Sequence, residues 1–140
     1  MPELTVSMPA RNTSRFIGEA ISSVLSERDV DLELIVVDDA SGDNTAGVAS
    51  SFGDPRLKLI RNPVRRGISG CHNIVTENSS SPFIAHVDSD DVVLPGAFPK
   101  MLDALRSSPG AGQAHCNYHV INESGDRLGV TLTPVRQPGM

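Results

Sequence analysis

The chain has 140 residues, a net charge of −5, 39% hydrophobic and 21% charged residues, and four Phe, one Tyr and no Trp. A chain of this size buries roughly 70% of the surface its unfolded form exposes, enough for one core, here mostly aliphatic. The acidic balance excludes a sequence-independent grip on nucleic acid, which needs clustered Lys and Arg, and no stretch approaches the ~20 apolar residues of a membrane span.

In chain order, Leu4–Met8 reads as a first strand closed by Pro9. Ser14 is placed to cap a helix over Arg15–Ser26, where the pairs Phe16/Ile17, Ala20/Ile21 and Val24/Leu25 recur every four residues and give one buried stripe. Leu32–Val37 is a second, wholly buried type of strand. The turn Asp38–Asp43 comes next, in which Asp38 is expected to cap, and Asp43 or Asn44 caps a short helix. Arg56–Ile60 is a third strand, and Arg65-Arg66-Gly67 leads into a helix over Ile68–Glu77. Phe83–Val87 is a fourth strand ending at Asp88, and Pro95–Arg106 a further helix. Ala114–Ile121 and Arg127–Thr131 read as a hairpin around Glu123-Ser124-Gly125-Asp126.

Strands alternating with helices imply an α/β fold: a mostly parallel, Rossmann-like sheet flanked by helices, with a C-terminal β-hairpin. The reading is one domain over residues 1–133 and a patternless tail, 134–140. Met1-Pro2-Glu3 lacks the basic start of a secretory leader, and Cys71 and Cys116 form no CxxC. The expectation is therefore a cytoplasmic chain with two reduced thiols, or one peripheral at the inner face of the membrane.

The polar clusters fall at strand ends. Pro9-Ala10-Arg11-Asn12 comes after strand one, Asp38-Asp39-Ala40-Ser41 after strand two, and Asp88-Ser89-Asp90-Asp91 after strand four. In open α/β sheets ligands bind at the carboxyl edge, where strand order reverses. A strand order of 3-2-1-4 would gather all three clusters around one crevice. Two carboxylates 4 Å apart repel by about 4 kcal/mol at an effective dielectric of 20. No Lys or Arg lies between Arg66 and Lys100 to offset that. A hard divalent cation would, taking one or two carboxylates from protein and the rest from phosphate and water. The plain alternative is a solvated loop that caps the next helix; Asp39, at a neighbouring strand end, favours a ligand site. Asp39 is placed to accept a hydrogen bond from a ligand N–H such as the imide of uracil.

With these residues in place, the sequence resembles the family 2 glycosyltransferases of the GT-A fold. The likeness runs from about Leu4 to Gly129. Its parts are Val6-Ser7-Met8-Pro9-Ala10-Arg11-Asn12, the helix Ile17–Leu25, the stretch Glu33–Thr45, Arg66-Gly67-Ile68-Ser69 with Asn73, and Ala85–Asp91 with Leu94-Pro95 after it. The resemblance implies inverting transfer of a sugar from a nucleotide diphosphate donor, a UDP-sugar first and other bases open. It implies a donor site of Pro9, Ala10, Arg11, Asn12, Asp39, Arg66, Asp88 and Ser89, and Mn²⁺ or Mg²⁺ held by Asp90 and Asp88. The family's Tyr is replaced by Arg11, and its Ala-Arg-Asn by Cys71-His72-Asn73. Relatives are expected to continue for roughly a hundred residues past Met140, carrying the acceptor site and the general base. Neither the acceptor nor the base is therefore named.

Two other readings compete. Ile84–Val92 superficially fits a phosphatase of the haloacid dehalogenase type, but that class needs a later acidic pair absent here. A non-catalytic nucleotide-binding or self-associating fragment would present an uncovered sheet edge. His115 and His119 share a strand face with Cys116 opposite, which makes a zinc site a poor fit.

Overall fold

Four parallel strands form the sheet in the computed structural model, which describes residues 1–132. They are β1 (Leu4–Ala10), β2 (Leu32–Asp39), β3 (Leu57–Asn62) and β4 (Phe83–His86), in the order β3-β2-β1-β4. This is the order expected, and it sets the ends of β2 and β4 on either side of β1; the cleft there takes residues of the first two polar clusters and none of 88–91. Helices α1 (Ile17–Leu25) and α2 (Thr45–Ser50) connect β1, β2 and β3 in one direction across the sheet. Helix α3 (Gly67–Asn78) returns the chain past both to β4. Right-handed crossovers then place α1 and α2 on one face and α3 on the other, in keeping with the contact between α1 and α2 and those of α3 with β1 and β2.

The core arises from strand alternation. Ile35 and Val37 of β2 pack with Cys71 and Val75 of α3, flanked by Ile60 and Ile74. Leu34 and Val36, alternating with them, face the other way and are also fully buried. On α1, Ile17, Ala20, Ile21, Val24 and Leu25 are buried, the stripe expected from the sequence.

Several boundaries differ from expectation, three of them near the strand ends that carry the polar clusters. β1 continues through Pro9, which pairs with Val37. The Ser7 carbonyl faces β4, where it accepts the Val87 N–H at 3.1 Å. Pro9, two residues on, therefore faces the same side, beyond the last β1–β4 pair of Ser7 with His86. Its missing N–H falls where no ladder remains to receive it. β2 runs to Asp39, so Asp38 and Asp39 are strand residues pointing to opposite faces, and Asp38 does not cap a turn. Ser14 does not cap α1, which has no side-chain cap and opens from a turn closed on the Thr13 carbonyl.

At the far end of α1 the carbonyls of Leu25 and Glu27 accept from Arg56 Nη2 at 2.7 Å and Nη1 at 3.2 Å. Asp54 grips the same guanidinium at 2.9 Å, and its hydrogen bonds hold the Asp54 carboxyl below the usual carboxylate range. An arginine thus satisfies carbonyls that the helix end leaves without partners.

The chain divides into two compact units, Met1–Ala97 and Phe98–Met140. The second holds most of α4 (Ala97–Arg106) and an antiparallel hairpin of β5 (Tyr118–Ile121) and β6 (Arg127–Thr131). The hairpin turns through Gly125, at φ 84. Its first pair is Tyr118 with Thr131, so the strand expected from Ala114 starts four residues later. The tail read at 134–140 lies outside the described residues. Among the described residues, no helix is long and apolar enough to cross a membrane.

Candidate functional site

The ends of β1 and β2 are laced together. Asn12 donates its N–H to Ser41 Oγ at 3.0 Å and accepts the Gly42 N–H on Oδ1 at 2.8 Å. Thr13 N–H reaches Thr45 Oγ1 at 2.9 Å, and Ser14 N–H reaches Asp43 Oδ2 at 3.1 Å. Asp43 also accepts from the N–H and hydroxyl of Thr45 at the start of α2. Those hydrogen bonds, the Thr45 hydroxyl foremost, hold its carboxyl far below the ordinary range. Asn12 and Ala40 both sit at positive φ, 52 and 56. For alanine that conformation is strained by about 1 kcal/mol or more, and such strain gathers at ligand sites.

Asp39 is the hub. It is 4% exposed, yet Oδ1 accepts from Asn62 Nδ2 at 2.9 Å and Arg66 N at 2.7 Å, and Oδ2 from Gly67 N at 2.8 Å. Burial works to raise its pKa, and these bonds outweigh it, so the carboxyl sits below its usual range. The β3–α3 loop is thereby tied to the end of β2, with Gly67 at φ 77. The Cys71 thiol is a fourth partner of the same carboxylate. Arg11 Nη1 donates to the carbonyls of Asp39 at 2.7 Å and Ala40 at 3.0 Å.

Around this hub opens a cleft of about 210 Å³ lined by Pro9, Ala10, Arg11, Asp39, Arg65, Gly67, Ile68 and Cys71. Pro9, Ala10, Arg11 and Asp39 thus come together as the strand order required. Arg66 contributes its backbone N–H to Asp39, while its side chain is exposed. Arg65, outside the expected donor site, lines the cleft. Asn12 spends its backbone N–H and side-chain oxygen on the neighbouring loop. A larger hollow of about 520 Å³ lies on the Asp38 side, where Arg61 Nε stands 3.5 Å from Asp38 Oδ2. It holds none of the residues that converge on Asp39 except Asn62.

One strand over, β4 delivers the acidic turn. The Asp91 N–H closes it on the Asp88 carbonyl at 3.1 Å. Asp88, Asp90 and Asp91 are exposed and Ser89 is buried. Partial desolvation, then the charges of Asp88 and Asp90, push the Asp91 carboxyl above its usual range although the residue is exposed overall. Beside the turn, His72 Nδ1 lies 2.9 Å from Ser7 Oγ, and the His72 and His86 rings meet edge to face at 4.1 Å. Burial and then His86 hold the His72 pKa below the ordinary imidazole value, against the pull of Asp88. His86 is exposed.

Sequence reasoning missed Asn62, Cys71 and the Arg66–Gly67 N–H pair as partners of Asp39. The positive-φ glycine at position 67 was the available signal. Nothing in one dimension pairs His72 with His86. Among the described residues, no group of three His, Cys, Asp or Glu side chains is set to hold a metal ion by itself.

A parallel sheet that gathers its polar residues at the carboxyl ends of β1, β2 and β4, with an acidic turn at the strand-order reversal, defines a GT-A-like α/β core. The chain belongs to glycosyl transferase family 2, whose family model matches residues 5–134. It is similar to the UDP-Glc:alpha-D-GlcNAc-diphosphoundecaprenol beta-1,3-glucosyltransferase of Escherichia coli, at 32% identity over 86% of this chain and 47% of that protein. S. aureus TarS 1–349 in complex with UDP-GlcNAc superposes with a TM-score of 0.69 at 20% identity, over 81% of this chain and 37% of that one. The mannosyltransferase PcManGT from Pyrobaculum calidifontis, in complex with GDP-Man and Mn²⁺, superposes at 0.59 and 28% identity, over 65% of this chain and 28% of that one. The chain spans about half the length, or less, of these relatives.

Proposed function

We propose that this chain binds a nucleotide diphosphate sugar in the cleft at the ends of β1 and β2 and supplies the donor half of an inverting glycosyltransferase. The observation that carries the reading is the convergence of Arg11, Asp39 and the Gly67 N–H at one cleft, with the acidic turn at the neighbouring strand end. In this reading the base enters beside Pro9, Ala10 and Arg11, and Asp39 accepts its N–H. The guanidinium of Arg11, pinned at Nη1, offers its flat face to the ring. Arg66 lies within the same loop for the phosphates, and Asn12 shapes the site through its neighbours. Asp88 and Ser89 meet the ribose.

Asp90 and Asp88 would hold Mn²⁺ or Mg²⁺. Carboxylate oxygens on one turn fit a hard cation that completes its shell from phosphate and water, and the charges of Asp88 and Asp90 add to the desolvation that raises the Asp91 pKa. Bound there, the ion supplies Lewis-acid neutralisation of the leaving diphosphate. The acceptor hydroxyl must lose its proton to a general base, which this reading places in sequence beyond Met140. The activity of the E. coli relative makes a polyprenyl-diphosphate-linked saccharide the first acceptor to try. A cytoplasmic chain, peripheral at the inner face of the membrane, suits such an acceptor.

Titration calorimetry with UDP, GDP, CDP and dTDP, each with and without Mn²⁺, tests the reading. Binding of at least one, dependent on metal, is the expected result. No heat or thermal shift with any of them would end it.

A further inference from the structure

The acidic turn stands at the end of a short strand, and residues 92–96 beyond it are held by little apolar burial. Val92 is 38% and Leu94 53% exposed. Two side chains from the end of α1 hold this segment instead. Ser23 Oγ accepts the Val93 N–H at 3.0 Å while donating to the Ala20 carbonyl at 2.7 Å, which fixes the hydroxyl's direction. Glu27 Oε1 accepts the Gly96 N–H at 2.7 Å. Glu27 is only 6% exposed. A carboxylate that deep is costly unless hydrogen-bonded, and a bond to an ionised acceptor is roughly twice as strong as a neutral one. Gly96 sits at φ 76, a conformation glycine adopts without penalty. Glu27 is itself fixed from behind: its N–H meets the Val24 carbonyl at 3.2 Å, and its carbonyl receives Arg56 Nη1 at 3.2 Å. A continuous set of bonds thus runs from Asp54 through Arg56 and Glu27 to Gly96, and ends five residues past Asp91.

We propose that Glu27, with Ser23, is a positioning residue for the acidic turn: it holds Val92–Gly96 so that Asp88 and Asp90 face the crevice in the arrangement a metal–diphosphate pair requires. The inference rests on the donor-site reading above. Glu27 touches neither the nucleotide nor the metal. It acts by denying the turn other orientations, and misplacement by about 1 Å is enough to weaken such a site severely.

The test compares wild type with Glu27→Ala, Glu27→Gln and Ser23→Ala. Hydrogen exchange is measured over residues 88–97, and calorimetry measures uridine alone and UDP with Mn²⁺. Glu27→Ala is expected to speed exchange at Asp91, Val93 and Gly96 by about tenfold, as local unfolding becomes easier. It should weaken Mn²⁺–UDP by about tenfold while uridine stays within about twofold. Glu27→Gln keeps an acceptor for Gly96 and should restore both; Ser23→Ala should act in the same direction, more weakly. Unchanged exchange in Glu27→Ala, equal losses for uridine and Mn²⁺–UDP, or failure of Gln to rescue would overturn the proposal. If wild type binds neither ligand, the donor-site reading fails, and the exchange comparison still decides whether Glu27 places the turn.

Discussion

Arg11 reaches from the end of β1 to the end of β2, where its Nη1 donates to the carbonyl oxygen of Asp39 at 2.7 Å. The same nitrogen meets the Ala40 carbonyl at 3.0 Å, so one guanidinium closes two strand ends in the wall of the cleft. Arg11→Ala should weaken nucleotide binding about tenfold, or about 1.4 kcal/mol. Arg11→Tyr, which restores a flat ring, should stay within about threefold of wild type. Calorimetry with UDP and Mn²⁺ reads both, and wild-type affinity in the alanine variant would remove Arg11 from the site.

Asp39→Asn turns an acceptor that serves three donors into a group with one oxygen and its own N–H pair. At least one of the Asn62, Arg66 or Gly67 donors then loses its partner in a buried place, a loss of about 2 kcal/mol. Urea unfolding should show it. Because the folded pKa of Asp39 lies below the unfolded value, its contribution is fully present above the unfolded carboxylate pKa. It is lost as pH falls through the folded one. The stability gap between wild type and Asp39→Asn should therefore be constant near neutrality and shrink in acid. A gap that widens in acid would contradict the hydrogen-bond account.

Asp90→Ala should abolish most of the gain in UDP affinity that Mn²⁺ gives, with a loss of about tenfold or more. EDTA on wild type should reproduce the variant's affinity. A Mn²⁺ effect of wild-type size in Asp90→Ala would remove that carboxylate from the metal's shell.

The thiols should differ in reactivity. Cys71 is 1% exposed, and burial pushes its pKa up to about 11, with Asp39 adding to the effect. The thiolate is the reactive form, so native protein near pH 8 should react rapidly with a disulfide reagent at Cys116 alone. Cys71 should react only on unfolding. Bound UDP should leave the count unchanged, because Cys71 is buried at the cleft wall even without a ligand. Two fast thiols in the native state would show that the α3 face of β2 opens readily.

Much of this was legible in one dimension because it obeys local rules. The unbroken apolar run of β2 and the four-residue repeat of α1 gave their elements, and the polar clusters marked the strand ends. The strand order could only be stated as a condition, since which strand neighbours which is set by packing. What escaped were bonds between distant residues. Ser14 looks like a cap, but Asp43, nearly thirty residues on, captures its N–H. Asp38 looks like a turn residue until β2 is seen to continue through it. Ser23 lies off the apolar stripe of α1 and Glu27 just past the helix, so neither marks a partner in sequence, and only the fold brings Val93 and Gly96 to them.

The lacing of residues 12–14 to residues 41–45 has a kinetic meaning. Those loops are already ordered before a ligand arrives, so docking the nucleoside there loses little conformational entropy, and association at that end can proceed as between rigid bodies. The diphosphate end meets a segment tied down at only a few points. The entropy of ordering is therefore concentrated at the acidic turn, and adding phosphates to a nucleoside should raise amide protection at residues 88–96 while residues 9–14 and 39–45 stay as they were.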